Sequence, residues 1–323
     1  MSLLLGGIDI GGTKCAAVLG RSASETVNII DKISFPTPAT PGEALVQLGD
    51  ALEQLLKRNQ AEPLQAIGIS CGGPLSSKEG LVLSPPNLPG WDRVDVLTPF
   101  RDRFSVPVGL QNDANACALA EWKWGAGRGS ENMVFLTFGT GMGAGLILNG
   151  RIYGGANDMA GEVGHIRLAE DGPLGYGKYG SFEGFCSGGG IARLAQKFVE
   201  DGVRVGESTL LQADQQELTA KVVFAAAHAG DELAKRVIEI VSKQLGRGLA
   251  ILVDILNPDT IVIGSIYERQ EAMLAPLVMA ELQREALPIA LGVCRIVPSG
   301  LQDNVGDAAS LSVALHEYEQ QQK

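Results

Sequence analysis

Two glycine-rich stretches carry the chemistry this sequence suggests most directly. Thr137-Phe-Gly-Thr-Gly-Met-Gly-Ala-Gly145 follows the apolar run Met133–Leu136 and precedes a second run, Leu146–Leu148. Gly7-Ile-Asp-Ile-Gly-Gly-Thr-Lys14 lies in the same way between Leu3–Leu5 and Ala16–Leu19. Each reads as a strand, a glycine-rich tip and a second strand. A tip almost without side chains lets backbone N–H groups close on an anion, and phosphate is the usual one. Turn geometry alone is the other reading of the same glycines. Neither stretch is a P-loop, which needs Gly-x-x-x-x-Gly-Lys-Ser/Thr, or a dinucleotide fingerprint, which runs strand, Gly-x-Gly-x-x-Gly, helix. The duplication implies two halves with one phosphate hairpin each, facing across a cleft to hold a nucleotide's phosphates from both sides.

Carboxylates come next. In Gln111-Asn-Asp-Ala-Asn-Ala116, either Asn112 or Asp113 can cap the helix that the alanines continue. A plain cap accounts for Asp113 by residue type. Its place at a strand-to-helix junction is also where α/β folds put their chemistry, outside the carboxyl ends of strands. Further on, Gly161-Glu-Val-Gly-His165 and Gly180-Ser-Phe-Glu-Gly184 bring two carboxylates and one of only three histidines into a glycine-dense region.

The elements that must position these groups follow from periodicity and turn residues. Val27–Phe35 is expected as a third strand, ended by prolines at 36, 38 and 41. Glu43–Asn59 has helical spacing through Ala44, Leu45, Leu48, Leu52, Leu55 and Leu56. Ala66–Ser70 is a short buried strand, Leu75–Trp91 a long loop, Val94–Phe104 a helix, and Val106–Leu110 an edge-like strand because of Pro107. Gly125–Ser130 reads as a hinge. Helices are expected at Ile191–Glu200, Gln215–Ala229, Asp231–Leu256, Glu271–Ala286 and Asp303–Tyr318, with strands at Thr260–Ile263 and Val293–Val297. Strands and helices interleaved in this way define a mixed α/β protein.

Bulk properties narrow the class. A chain of 323 residues suggests about two domains, and 45% hydrophobic residues can fill a sizeable core. A net charge of −11 argues against nucleic acid or an anionic membrane as the main partner. The five cysteines are scattered, odd in number and without C-x-x-C spacing, which suits small buried residues in a reducing compartment. No apolar run is long enough for a membrane helix, and no signal peptide is visible. A cytoplasmic location is expected.

Taken together these residues resemble the ROK family of sugar kinases. The resemblance rests on five motifs in order: Asp9-Ile-Gly-Gly-Thr-Lys14, Asn112-Asp-Ala-Asn-Ala116, Thr137-Phe-Gly-Thr-Gly141, Gly161-Glu-Val-Gly-His165 and Gly306-Asp-Ala-Ala309. It implies a two-domain actin-like ATPase fold (hexokinase-like, ribonuclease H-like) with an interdomain cleft that closes on substrate. The domains are expected at residues 1–120, with a C-terminal helix at about 303–323 packing back on it, and at 121–302. It implies transfer of the γ-phosphoryl of ATP to a hydroxyl of a hexose or N-acyl-hexosamine, with Asp113 as general base.

By the same resemblance Asp9 holds Mg²⁺ through water. Gly11, Gly12, Thr13 and Lys14 line one side of the phosphates, and Thr140, Gly141 and Gly143 the other. Gly264 and Ser265 fall at the adenosine motif, where the family usually has a glycine pair. Asn87, Asn112, Asp113, Glu162, His165 and Glu183 are expected to bind sugar, since carboxylates and amides can each pair with adjacent hydroxyls. Many relatives carry zinc-binding cysteines where this chain has Leu174, Tyr176 and Ser181. Without thiolates a Cys₃His site is not possible, so no zinc is expected. A homodimer is the family expectation. The other readings are a sugar- or nucleotide-binding protein without catalysis and a sugar-responsive regulator. Against the regulator, the first hairpin begins within ten residues of the start and no helix-turn-helix precedes it.

Overall fold

A computed structural model describes residues 2–60, 63–204, 208–211 and 217–322. The chain divides into two compact units. The first comprises residues 1–135, 145–160 and 299–323, the second residues 136–144 and 161–298.

The first unit is built on strands β1 (Leu3–Ile10), β2 (Lys14–Ser22) and β3 (Val27–Pro36), helix α1 (Pro41–Arg58) and strand β4 (Ala66–Cys71). Strands β5 (Leu75–Ser76), β6 (Leu81–Val82) and β7 (Val94–Asp95) form a small separate sheet. Helix α2 (Thr98–Phe104), strand β8 (Val108–Asn112) and helix α3 (Asp113–Trp124) follow. The main sheet has the order β3-β2-β1-β4-β8. Strands β1 to β3 are antiparallel neighbours, whereas β1, β4 and β8 run parallel.

Side chains alternate between the two faces of this sheet. Leu4, Ile8, Ile67 and Ile69 pack with Ala44, Leu48, Leu52 and Leu55 of α1. Leu5, Val18 and Ala66 share the opposite core with Ala120 and Trp124 of α3 and with Leu311 and Ala314 of the C-terminal helix, Val305–Gln321. That helix lies close because its strands carry glycine there. A Cβ at Gly7 would overlap Ser310, at Gly20 Leu311, and at Gly68 the helix backbone.

Two expectations are corrected in this unit. The stretch Leu75–Trp91 contains β5 and β6 as well as loop, and Val94–Phe104 divides into β7 and α2. Asp95 causes the division. Its Oδ1 accepts from the N–H groups of Leu97 and Thr98 in a turn that separates β7 from α2, and Pro99 stands in the first turn of that helix.

Next come β9 (Met133–Phe138), β10 (Met142–Leu148) and β11 (Arg151–Ile152). The second unit continues with the hairpin strands β12 (Leu174–Gly175) and β13 (Lys178–Tyr179), then α4 (Phe182–Phe185), α5 (Gly188–Arg204), α6 (Ala220–His228), α7 (Glu232–Leu256), β14 (Thr260–Ile263), α8 (Ile266–Arg269), α9 (Glu271–Glu285), α10 (Pro288–Leu291) and β15 (Arg295–Pro298). The second five-stranded sheet has the order β11-β10-β9-β14-β15, with β14 and β15 parallel.

Helix α5 starts at Gly188, ahead of the expected Ile191, because Ser187 Oγ accepts from Gly190 N and caps it. The expected start of a helix at Gln215 lies outside the described residues, and α6 is described from Ala220. Inside α7, Gly246 and Gly248 are sites of close packing. A Cβ at Gly246 would stand 2.7 Å from Glu281 Cβ of α9, and one at Gly248 would overlap the Phe182 ring. Lost helix propensity is thereby exchanged for close approach.

Candidate active site

The registers of three parallel strands assemble the first cluster. Ile10 stands opposite Cys71, and Cys71 opposite Asn112. The carboxyl ends of β1, β4 and β8 are therefore level, with Asp9, Gly72-Gly73 and Asp113 at one edge of the sheet. α/β folds bind ligands outside such ends. A cavity of about 160 Å³ opens there, lined by Asp9, Gly11, Gly12, Gly72, Gly73, Pro85, Pro86, Asn87 and Asp113 among others. Of the residues singled out from sequence, Asp9, Gly11, Gly12, Asn87 and Asp113 share this cavity.

Asn112 and Asp113 divide the labour of the junction. Asn112 Oδ1 accepts from Asn115 N at 2.7 Å and is the N-cap of α3. Asp113 is thus the first helical residue and exposed to solvent, with Oδ1 accepting from Ala114 N at 2.8 Å. The helix N-terminus favours its negative charge.

The electrostatics are those of a carboxylate cluster. Burial pushes the Asp9 carboxyl up from 3.8 to about 6; Lys32 opposes the rise, and Asp113 and Asp307 add to it. Burial likewise pushes up the thiols of Cys71 and Cys117, with the charges of Asp113 and Asp9 adding in both. Lys32 and Asp307 form an ion pair beside this cluster. Sequence reading singled out neither for the site. Their positions are 275 residues apart, and only the family motif around Asp307 offered a signal. An oxygen-only donor set with excess negative charge fits a hard divalent cation.

At the β1–β2 tip, Gly11 N donates to Lys14 O at 3.1 Å, and Thr37 Oγ1 donates to Gly11 O at 2.6 Å. Thr13 and Lys14 are exposed. A larger, open depression along α1 is lined by Asp50, Glu53, Gln54, Lys57 and Arg58. Its charges are spent on one another and on Arg103 and Asp31.

The second unit holds its own cluster. The tip Gly139-Thr140-Gly141 connects β9 to β10, and Thr137 Oγ1 accepts from Gly143 N at 2.9 Å across the hairpin. Glu183, in the first turn of α4, accepts from Met142 N at 3.1 Å through Oε2. It therefore braces this hairpin. Gly139 O accepts from Gly188 N at 2.7 Å. Gly264 N donates to Leu136 O at 3.0 Å, which places the Gly264-Ser265 turn beside β9. Ser265 has φ +62°, in the region that favours glycine, and its Oγ accepts from Arg269 Nη2 at 3.0 Å.

Glu162 and His165 flank a 3₁₀ turn, Val163–His165. Tyr176 Oη donates to Glu162 Oε2 at 2.8 Å, and the Tyr176 and His165 rings meet edge-on with centroids 5.1 Å apart. Ser181 Oγ donates to Gly175 O and accepts from Gly184 N. The residues at the relatives' cysteine positions therefore offer a phenol, a hydroxyl and an aliphatic chain, a donor set that does not fit zinc.

A model of the ROK family matches residues 5–315. The chain belongs to the ROK family. It is 36% identical to a glucokinase of Halalkalibacterium halodurans over 87% of this chain and 86% of that one. Among solved structures, the ROK hexokinase of Thermus thermophilus superposes with a TM-score of 0.78 at 27% identity, covering 99% of this chain and 100% of the other. A ROK family glucokinase from Streptomyces griseus, solved with glucose and AMPPNP, gives 0.74 at 27% identity, covering 97% and 99%. The fold of this ROK protein is accordingly the two-domain actin-like ATPase fold.

Proposed function

We propose that this protein is a sugar kinase that moves the γ-phosphoryl of ATP to a hydroxyl of a hexose or N-acyl-hexosamine, with Asp113 as general base. The observation that carries the assignment is the single cavity at the level ends of β1, β4 and β8, where Asp113, Asp9, Asn87 and the Gly11-Gly12 backbone meet.

Asp113 is exposed at its helix start, with Asn112 doing the capping. Its carboxylate orients the sugar hydroxyl and takes the proton as the new O–P bond forms and the bond to the departing ADP oxygen breaks. Phosphoryl transfer has a loose transition state, so alignment and charge matter more than the strength of the base. Asp9 would hold Mg²⁺, and Asp113 and Asp307 deepen the negative field there. When bound, the ion neutralises charge on the phosphates.

Backbone N–H groups of Gly12 and Thr13, with Lys14, take phosphate oxygens, as do Thr140 and Gly141; Gly11 and Gly143, whose N–H groups are held by Lys14 O and Thr137 Oγ1, line the phosphates without donating. Gly264 and Ser265 serve the adenosine. Asn87 and Asn112 bind sugar hydroxyls, and Asn112 does so through its amide donor, since its oxygen is in the cap. Glu162, His165 and Glu183 are assigned to sugar hydroxyls on family grounds. A homodimer in the cytoplasm is the setting we assign: the dimer is the family expectation, and five scattered cysteines without C-x-x-C spacing suit a reducing compartment.

A coupled ADP-release assay with MgATP against hexoses and N-acetylhexosamines tests this reading. Glucose comes first, because two of the relatives named above are glucokinases. Turnover on one sugar is expected. Tight binding of a sugar without turnover on any would instead favour a binding protein.

A further inference from the structure

The connection between β12 and β13 carries a residue that its backbone disfavours. Gly175 pairs with Lys178, leaving Tyr176 and Gly177 as a two-residue loop. Both have positive φ, +55° and +73°. This is the pattern of a type I′ hairpin turn, whose first loop position prefers Asn, Asp or Gly. A bulky aromatic in that conformation is strained.

What the tyrosine does from there accounts for its presence. Its hydroxyl donates to Glu162 Oε2 at 2.8 Å, a bond strengthened by the carboxylate charge, and its ring stands at 69° to that of His165. The hairpin is anchored from below by Ser181 Oγ on Gly175 O at 2.9 Å and by Gly180 N on Pro173 O at 3.2 Å. One strained side chain thus ties a fixed hairpin to two polar residues that flank the same 3₁₀ turn.

We propose that Tyr176 is a positioning residue for sugar binding, which holds the Glu162 carboxylate and the His165 ring in the orientation that receives sugar hydroxyls. In this chain a phenol and a ring contact tether the loop at a place where the donor set offers no thiolate to a metal. The assignment rests on the reading of Glu162 and His165 as sugar ligands.

The test measures sugar affinity by titration calorimetry, with D-glucose and N-acetylmannosamine as probes, together with Tm. Wild type, Tyr176→Phe, Tyr176→Asn and Glu162→Gln are compared. Tyr176→Phe is expected to weaken binding of the wild type's sugar about fivefold, with KM for ATP within about twofold. Tyr176→Asn creates the favoured Asn-Gly turn, so it should raise Tm by about 2 °C while weakening sugar about tenfold. A purely structural tyrosine would not separate affinity from stability in this way. Affinity within twofold of wild type in both Tyr176 variants, with Glu162→Gln impaired, overturns the assignment alone. Unchanged affinity in Glu162→Gln as well overturns the underlying sugar-site reading, and the assignment with it.

Discussion

At the tip of the β1–β2 hairpin, at Gly12, the main chain demands glycine, whereas at the tip of the β9–β10 hairpin, at Gly139 and Gly141, side chains do. A Cβ on Gly12 would overlap the carbonyl oxygen of Asn87 and stand 2.8 Å from Asn87 Cβ. A Cβ on Gly141 would meet Glu183 Oε2 at 3.0 Å, and one on Gly139 would meet Ser265 Oγ at 3.1 Å. Backbone cannot yield, but the end of a side chain can. The surroundings differ in charge too. The first hairpin belongs to a cluster of Asp9, Asp113, Asp307 and Lys32, while the second is braced by Glu183 on Met142 N. Two tips that look like copies in sequence therefore tolerate change differently, because what packs against them differs.

Substitution should expose this asymmetry. Gly12→Ala forces the Asn87 loop away from the cavity, and a displacement near 1 Å beside the chemistry costs about 100-fold. A loss of kcat/KM for ATP of about that size is expected in the ADP-release assay, against less than about fivefold for Gly139→Ala, where the Ser265 hydroxyl can give way. Equal losses would erase the distinction.

A smaller effect sharpens the electrostatic half of the comparison. Folded Asp9 titrates near 6 against its ordinary 3.8. Between those values the folded chain holds the extra proton, so this group's contribution makes the protein less stable as pH rises from about 4 to 6. Asp9→Asn, measured by urea unfolding without Mg²⁺, should gain about 1–3 kcal/mol at pH 7.5 and almost nothing at pH 4. The gain is expected to be lost when Mg²⁺ is added, because only the wild type can bind it well. A variant less stable than wild type at pH 7.5 without the ion would show that Asp9 is not under charge stress.

Much of the first cluster was legible in sequence because its determinants are local. The glycine tips, the strand before Asp9 and the Asn112-Asp113 junction each lie within ten or so residues, and strand and helix periods mark them. The choice between Asn112 and Asp113 as cap was open until backbone geometry placed Asn112 in the cap position. What sequence left hidden depends on distant pairing. Lys32 meets Asp307 only through the packing of the C-terminal helix, and Gly7, Gly20 and Gly68 make sense only with that helix above them. The β7 strand was masked by apolar residues that fit a helix equally well, and the turn in which Asp95 accepts from Leu97 N and Thr98 N is what divides the two. Tyr176 was visible as a departure from the zinc pattern, but its bond to Glu162 and its positive φ were not.

Whether Asp113 takes the proton from the sugar hydroxyl is decided by Asp113→Asn. Single-turnover ADP formation and calorimetric sugar affinity should be measured side by side with wild type. A fall in kcat of about 10²–10⁴ is expected while sugar affinity stays within about twofold, since the amide keeps a hydrogen-bonding oxygen but cannot accept the proton. Near-normal turnover in the variant would contradict the claim and remove Asp113 as the base.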